Sequence, residues 1–167
     1  MSNRTLNPPE LAPPKGYSHG VVTDPGGRVV VVSGQMGWDS AGKMAGDDTA
    51  SQFKQALKNV GTVLRAAGGT PETILRLNIY VTSKEEYLRG IESIGREYRA
   101  FVGKHSPAMT LVVVKDLLEP GAKVIIEATA HVGEKGGATE FVRHGQGTQM
   151  PDAGPRGMRP PPGAIRR

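Results

Sequence analysis

Five polar side chains of this 167-residue chain fall inside predicted strands or at their ends: Tyr17, His19, Ser33, Thr110 and Glu127. Glu127 is the sharpest case. It stands in the otherwise apolar run Lys123-Val124-Ile125-Ile126-Glu127-Ala128-Thr129-Ala130, and glutamate is almost never fully buried unless paired. A strand carries such a carboxylate at a sheet edge, along a solvent-lined cleft, or because the charge has a use. Other chemistries are removed by residue type. The chain has no cysteine, which excludes disulfides, thiolate metal sites and thiol nucleophiles together. His19, His105, His131 and His144 show no HxH or HExxH spacing, so the sequence predicts no metal site. No GxSxG elbow is present, and Gly26-Gly27 and Gly68-Gly69 match turn chemistry rather than a phosphate-binding loop. Four of the five have a specific structural alternative: Tyr17 as packing, Ser33 as a strand end, His19 as a satisfied surface imidazole, Glu127 as half of an ion pair.

The elements that must position these residues follow from periodicity. Tyr17 to Thr23 reads as a strand, Asp24-Pro25-Gly26-Gly27 as a turn, and Arg28 to Ser33 as a β-branched strand forming a hairpin with the first. Its unbroken valines predict burial on both faces. Phe53, Ala56, Leu57, Val60, Val63, Leu64 and Ala67 recur at helical spacing, with Thr49-Ala50-Ser51-Gln52 as a capping box and Gly68-Gly69 as the stop. In Ile74 to Val81 apolar and polar residues alternate, so one face of that strand is wet or packs on a polar surface. Ser83-Lys84-Glu85-Glu86 caps a second helix carrying Tyr87, Leu88, Ile91, Ile94, Tyr98, Phe101 and Val102. Lys104-His105-Ser106-Pro107 then turns into a strand ending near Val114, and the Glu127 strand follows.

The order β-β-α-β-α-β-β predicts an α+β layer with a split βαβ arrangement and both helices on one face. Nothing else in the chain can cover the opposite face. The expectation is a cyclic oligomer that packs those faces together and leaves clefts between subunits. Residues 1–16 are Pro-rich and read as an arm, 17–133 as the domain, and 134–167 as a Gly/Pro/Arg-rich tail, flexible or arm-like, with Phe141-Val142 as its anchor.

Charge excludes little. The net +5 is concentrated in the tail: from Ala138 onward five arginines face only Glu140 and Asp152, which is +3 and leaves +2 for the body. With few aromatic residues as stacking platforms, a nucleic-acid partner is not the expectation. The N-terminus has no apolar leader and no run approaches membrane-spanning length, so the sequence predicts a cytoplasmic protein.

Tyr17-Ser18-His19-Gly20, Val31-Val32-Ser33-Gly34-Gln35, Gln55 to Val60, Ala66-Ala67-Gly68, Pro107-Ala108-Met109-Thr110 and Ile125 to Ala130, in this order and spacing, resemble the RidA (YjgF/YER057c/UK114) family over about residues 15–133. The resemblance implies a chorismate-mutase-like fold and a homotrimer, with the sheets forming a central barrel, the helices outside and a small-molecule ligand in each intersubunit cleft. It implies hydrolysis of reactive imines and enamines such as 2-aminoacrylate to keto acids and ammonia, with no metal or organic cofactor. In the family pattern a tyrosine matching Tyr17 and a glutamate matching Glu127 line the cleft. That glutamate would position or deprotonate the attacking water or pass a proton to the leaving amine. Ser33, Gly34 and Thr110 would help hold the substrate.

One departure weighs against the matches. The active family pattern is Pro-Ala-Arg followed by Ser or Thr, and the arginine grips the substrate carboxylate. Here the position is Met109, which has neither charge nor donor. Losing such a hydrogen-bonded charge costs on the order of 2–5 kcal/mol, roughly two to four decades of binding. An asparagine of some active members falls at Gly95, and a cysteine at Leu111. Arg28, Arg76 or a tail arginine are the candidate replacements. Three functions stay open: an imine hydrolase with altered specificity and Met109 as an apolar pocket wall, a non-catalytic ligand-binding or structural trimer, and an RNA-directed activity.

Overall fold

A computed structural model of the chain describes residues 3–133, so the expectations for the tail, including Phe141-Val142, lie outside the described residues. The central sheet has four strands in the order β3–β6–β4–β5, where β3 is Arg28–Gln35, β4 Ile74–Val81, β5 Ala108–Val113 and β6 Val124–Val132. Both β3 and β4 run antiparallel to β6, which lies between them, and β5 runs parallel to β4. This is the split βαβ layer expected from the element order. No helix of the described residues is long and apolar enough to cross a membrane.

The long helix α1, Thr49–Ala66, buries Phe53, Ala56, Leu57, Val60 and Leu64 against the sheet. Their 3–4 residue spacing makes one apolar stripe. Its cap lies one residue earlier than the sequence suggests. Asp48 is the N-cap, and its carboxylate accepts from Ser51 N at 2.9 Å. At the other end Gly68 takes φ 79° and Gly69 N donates to Leu64 O at 2.8 Å, a left-handed stop that a side chain at Gly68 would strain.

The single second helix expected from sequence is two: α2, Lys84–Arg89, and α3, Ile91–Val102. They break at Gly90, where an added Cβ would lie 3.2 Å from Ala50 Cβ of α1. Ser83 does cap α2, accepting from Glu86 N at 3.2 Å.

The predicted hairpin does not form. The first predicted strand shrinks to β2, Gly20–Val22, and pairs with β1, Arg4–Leu6, from the N-terminal arm, in a separate two-stranded sheet. The arm supplies the partner: His19 N donates to Asn7 Oδ1 at 3.0 Å, and Gly20 pairs with Leu6. β3 meanwhile finds its hydrogen bonds on β6.

The valines of β3 are not buried on both faces within this chain. Val32 is 1% exposed, whereas Val29 is 66% and Val31 75% exposed. The core occupies only the helix side of the sheet, with Val32, Leu77, Ile79, Val81, Val124, Ile126 and Ala128. Strand alternation sends their neighbours to a face that no helix of the described chain covers.

Candidate active site

Glu127 lies on that bare face. Its neighbours follow from register. Asn78 of β4 is directly opposite it, and Thr110 of β5 is opposite Asn78. On the other side β3 bulges between Val32, paired with Ala128, and Gln35, paired with Ile126, so both Ser33 and Gly34 oppose Glu127. Thr110, Asn78, Glu127 and Ser33-Gly34 therefore form one polar row across the sheet. Gly34 is required by the close approach: an added Cβ would meet Ile125 Cγ2 at 2.6 Å, and Glu127 Cγ lies 4.0 Å away.

Asn78 Nδ2 donates to Glu127 Oε2 at 3.3 Å, and the Tyr80 hydroxyl donates to the same oxygen at 3.2 Å. Oε1 has no partner among the described residues. Glu127 makes no ion pair there either, so a hydrogen-bonded carboxylate replaces the ion pair that the sequence left open. Desolvation first, then the charge and hydrogen bond of Glu127, hold the Tyr80 hydroxyl above the ordinary phenol value. Arg76 Nε donates to Asn78 Oδ1 at 2.9 Å and fixes that amide with its NH2 toward Glu127. Sequence reasoning missed Arg76, Asn78 and Tyr80 as a group. The signal was the alternation in β4, which puts all three on the wet face, but only the register shows that this face is Glu127's.

Tyr17 and Met109 lie elsewhere. Tyr17 is 37% exposed and meets the His19 ring edge-on, with centroids 5.8 Å apart. It is placed by Ser18, whose N donates to Pro107 O at 3.2 Å and whose hydroxyl donates to Ser106 O, a bridge to the start of β5. Met109 pairs with Leu77 and packs on the core side of the sheet. It borders a cavity of about 150 Å³ between the sheet and helices α2 and α3. One chain thus unites Glu127, Ser33, Gly34 and Thr110, and leaves Tyr17 and Met109 off the Glu127 face.

The three described histidines have structural partners. His19 Nε2 contacts Ala12 O at 2.8 Å, His105 Nε2 contacts Ile74 O, and His131 Nδ1 contacts Thr23 Oγ1 at 2.6 Å. Of the replacement arginines, Arg28 donates to Ala67 O at 3.2 Å, and Arg76 lies on the Glu127 face.

A four-stranded sheet with helices on one side and a lone carboxylate on the other defines an α+β protein of the kind expected from the sequence. The chain belongs to the family described as Endoribonuclease L-PSP, which it matches over residues 8–132, the family also called YjgF/RidA. It is 30% identical over 118 residues to the human 2-iminobutanoate/2-iminopropanoate deaminase, covering 70% of this chain and 80% of that one. Among solved structures it resembles a Rid-family protein of unknown function from Yersinia pestis at 34% identity and a TM-score of 0.69, over 79% of this chain and all of the other. It also resembles the Escherichia coli YjgF protein at 28% identity and a TM-score of 0.54, over 77% and 98%.

Proposed function

We propose that the chain is a metal-free hydrolase of imines or enamines, with a substrate other than the amino-acid-derived imines named for its relatives. Glu127 carries the reading. It is a carboxylate on a sheet face, oriented through Oε2 by Asn78 and Tyr80 and left with Oε1 unpartnered among the described residues. Such a group can hold a water and take its proton as the oxygen adds to a C=N carbon, then return a proton to the departing amine. Ser33, Gly34 and Thr110 flank the same carboxylate and would hold the substrate. In the net reaction one imine and one water give one carbonyl compound and one ammonia. The water oxygen becomes the carbonyl oxygen, and both water protons leave on the nitrogen.

Glu127 and the pair Tyr17 and Met109 do not share a face, so a site using all of them takes residues from two copies of the chain. In this reading a homotrimer packs the bare faces inward, covers Val29 and Val31, and brings the β5 edge of one copy to the Glu127 row of the next. Residues 17–133 are the working body. Met109 in place of the arginine turns specificity away from α-carboxylates.

The relatives' names favour hydrolysis over the ligand-binding alternative, in which Glu127 would only receive hydrogen bonds. An RNA-directed activity has less support, because the described histidines are engaged with backbone or threonine oxygens. The test is ammonia release from a panel of imines generated in situ, with and without an α-carboxylate, by wild type and Glu127→Ala. Turnover of a neutral imine that Glu127→Ala abolishes is the expected result. Equal rates for the two proteins would remove Glu127 from the chemistry.

A further inference from the structure

Arg76 is the one exposed residue of β4, and the hydrolase reading gives it only a supporting contact. Strand alternation puts it on the face of Asn78 and Tyr80. It stands at a bulge, because β4 carries an extra residue between Ile74, paired with Ala130, and Arg76, paired with Thr129. Bulges re-aim side chains and recur beside active sites. β3 has its own at Ser33-Gly34, so both strands that flank β6 are irregular within two residues of Glu127.

The Arg76 side chain is held but not neutralised. Of a guanidinium's five N–H donors, only Nε–H has an acceptor among the described residues, Asn78 Oδ1 at 2.9 Å. The ion pairs of those residues join Lys54 to Glu97 and Lys123 to Glu86, and neither includes Arg76. This cation shares a face with the Glu127 carboxylate and yet does not pair with it. Asn78 stands between them, accepting from Arg76 and donating to Glu127 Oε2 at 3.3 Å. The Arg76 charge still reaches the row, where it opposes part of the rise at the Tyr80 hydroxyl. A direct pair would tie up both groups. The amide spacer leaves Oε1 free for a water and the Nη edge free for an anion, which a guanidinium takes as a two-point fork.

We propose that Arg76 is a specificity residue of the Glu127 face and holds an acidic group carried two or three carbons beyond the C=N carbon of the substrate. The length comes from the strand. Arg76 lies two residues from Asn78, a rise of roughly 6–7 Å. An acid bonded directly to the reacting carbon falls short of that span, and a longer arm covers it. The substrate class is therefore an imine with a remote carboxylate, distinct from the α-carboxylate that Met109 does not grip. A neutral imine still reacts at Glu127 but binds more weakly. The proposal deepens the hydrolase reading and rests on it for the place of the reacting carbon.

The test is isothermal titration of the full-length protein with three stable ketones that stand in for the imines. 4-Oxopentanoate carries its acid two methylenes from the carbonyl. Its methyl ester has the same body without the charge, and 2-oxobutanoate carries the acid directly on the carbonyl carbon. Wild type is expected to bind 4-oxopentanoate about tenfold or more tighter than either, the worth of a charged hydrogen bond. Arg76→Gln should bring the acid down to the ester and leave the ester unchanged. Arg76→Lys, with the charge but not the fork, should keep part of the preference. A purely structural role through Asn78 would weaken acid and ester alike and leave their ratio where it was. The proposal is overturned if wild type binds the ester or 2-oxobutanoate as tightly as 4-oxopentanoate, or if Arg76→Gln keeps the wild-type ratio. The wild-type comparison needs no variant to fold. The preference is read in binding alone, so it stands or falls whatever the Glu127→Ala assay returns, and the two readings fail separately.

Discussion

The two faces of the sheet differ in kind. The helix face is dry: Phe53, Leu77, Ile79, Ile94 and Ile126 are each at most 2% exposed, and Met109 packs among them. The bare face alternates apolar corners, Val29, Val31 and Ile125, with a polar centre of Arg76, Asn78, Tyr80, Thr110 and Glu127. The positions where the resemblance implies departures, Met109, Gly95 and Leu111, lie on the helix side, and Glu127 lies on the bare face. In the proposed hydrolase, strand alternation would separate recognition at Met109 on one side of the sheet from proton transfer on the other by side-chain parity.

The comparison can be broken most completely at the bare face itself. Val31→Arg places a charge at an apolar corner of the surface proposed to be buried between copies. Light scattering is expected to show a trimer for wild type and a monomer for the variant, with helical circular dichroism unchanged because Val31 touches no helix-side core. A wild-type monomer at micromolar concentration would remove the intersubunit site.

Next in size is the loss of the carboxylate. In any background with measurable imine hydrolysis, Glu127→Ala should lower kcat by roughly 10²–10⁴-fold, the range of a general acid or base. Asn78→Ala and Tyr80→Phe each remove one orienting hydrogen bond and should cost about tenfold or less. Their effect should appear in kcat rather than KM, since neither is proposed to grip the substrate.

The smallest effect is a control remote from both readings. Glu86 of α2 accepts from Lys123 Nζ at 2.7 and 2.8 Å and from Thr49 Oγ1 at 3.0 Å. The Lys123 hydrogen bond first, then Thr49, holds its carboxyl below the ordinary value of 4.5. The native state therefore favours the ionised form, so the stabilisation is intact above about pH 4.5 and fades as pH falls below it. Glu86→Gln should lower the melting temperature by roughly a few degrees at pH 7, with the gap to wild type closing under acid and hydrolysis unaffected. Thermal melts from pH 3 to 7 check the sign.

Much of this was legible in the sequence, and the failures have physical causes. The alternation from Leu75 to Val81 and the stripe from Phe53 to Leu64 carry their own periods, so β4 and α1 could be read directly. Glu127 was found because a charge interrupts an apolar run. The pairing of β2 with β1 was not readable: three residues, Arg4-Thr5-Leu6, have no period, and their partner is chosen by distance rather than pattern. Asn78 and Tyr80 were visible as polar residues but not as partners of Glu127, because register is a relation between strands that neither strand encodes alone.

The most direct test of the central claim, that the catalytic row is intact and only the anion clamp is gone, is the hydrolysis of 2-iminopropanoate by wild type and Met109→Arg side by side. Little turnover is expected of wild type, and a gain of roughly two decades or more in kcat/KM of Met109→Arg, a gain that Glu127→Ala in the same background abolishes. Efficient turnover by wild type, with no gain from the arginine, would contradict it and move the substrate's carboxylate to another cation, with Arg76 the one already on the Glu127 face.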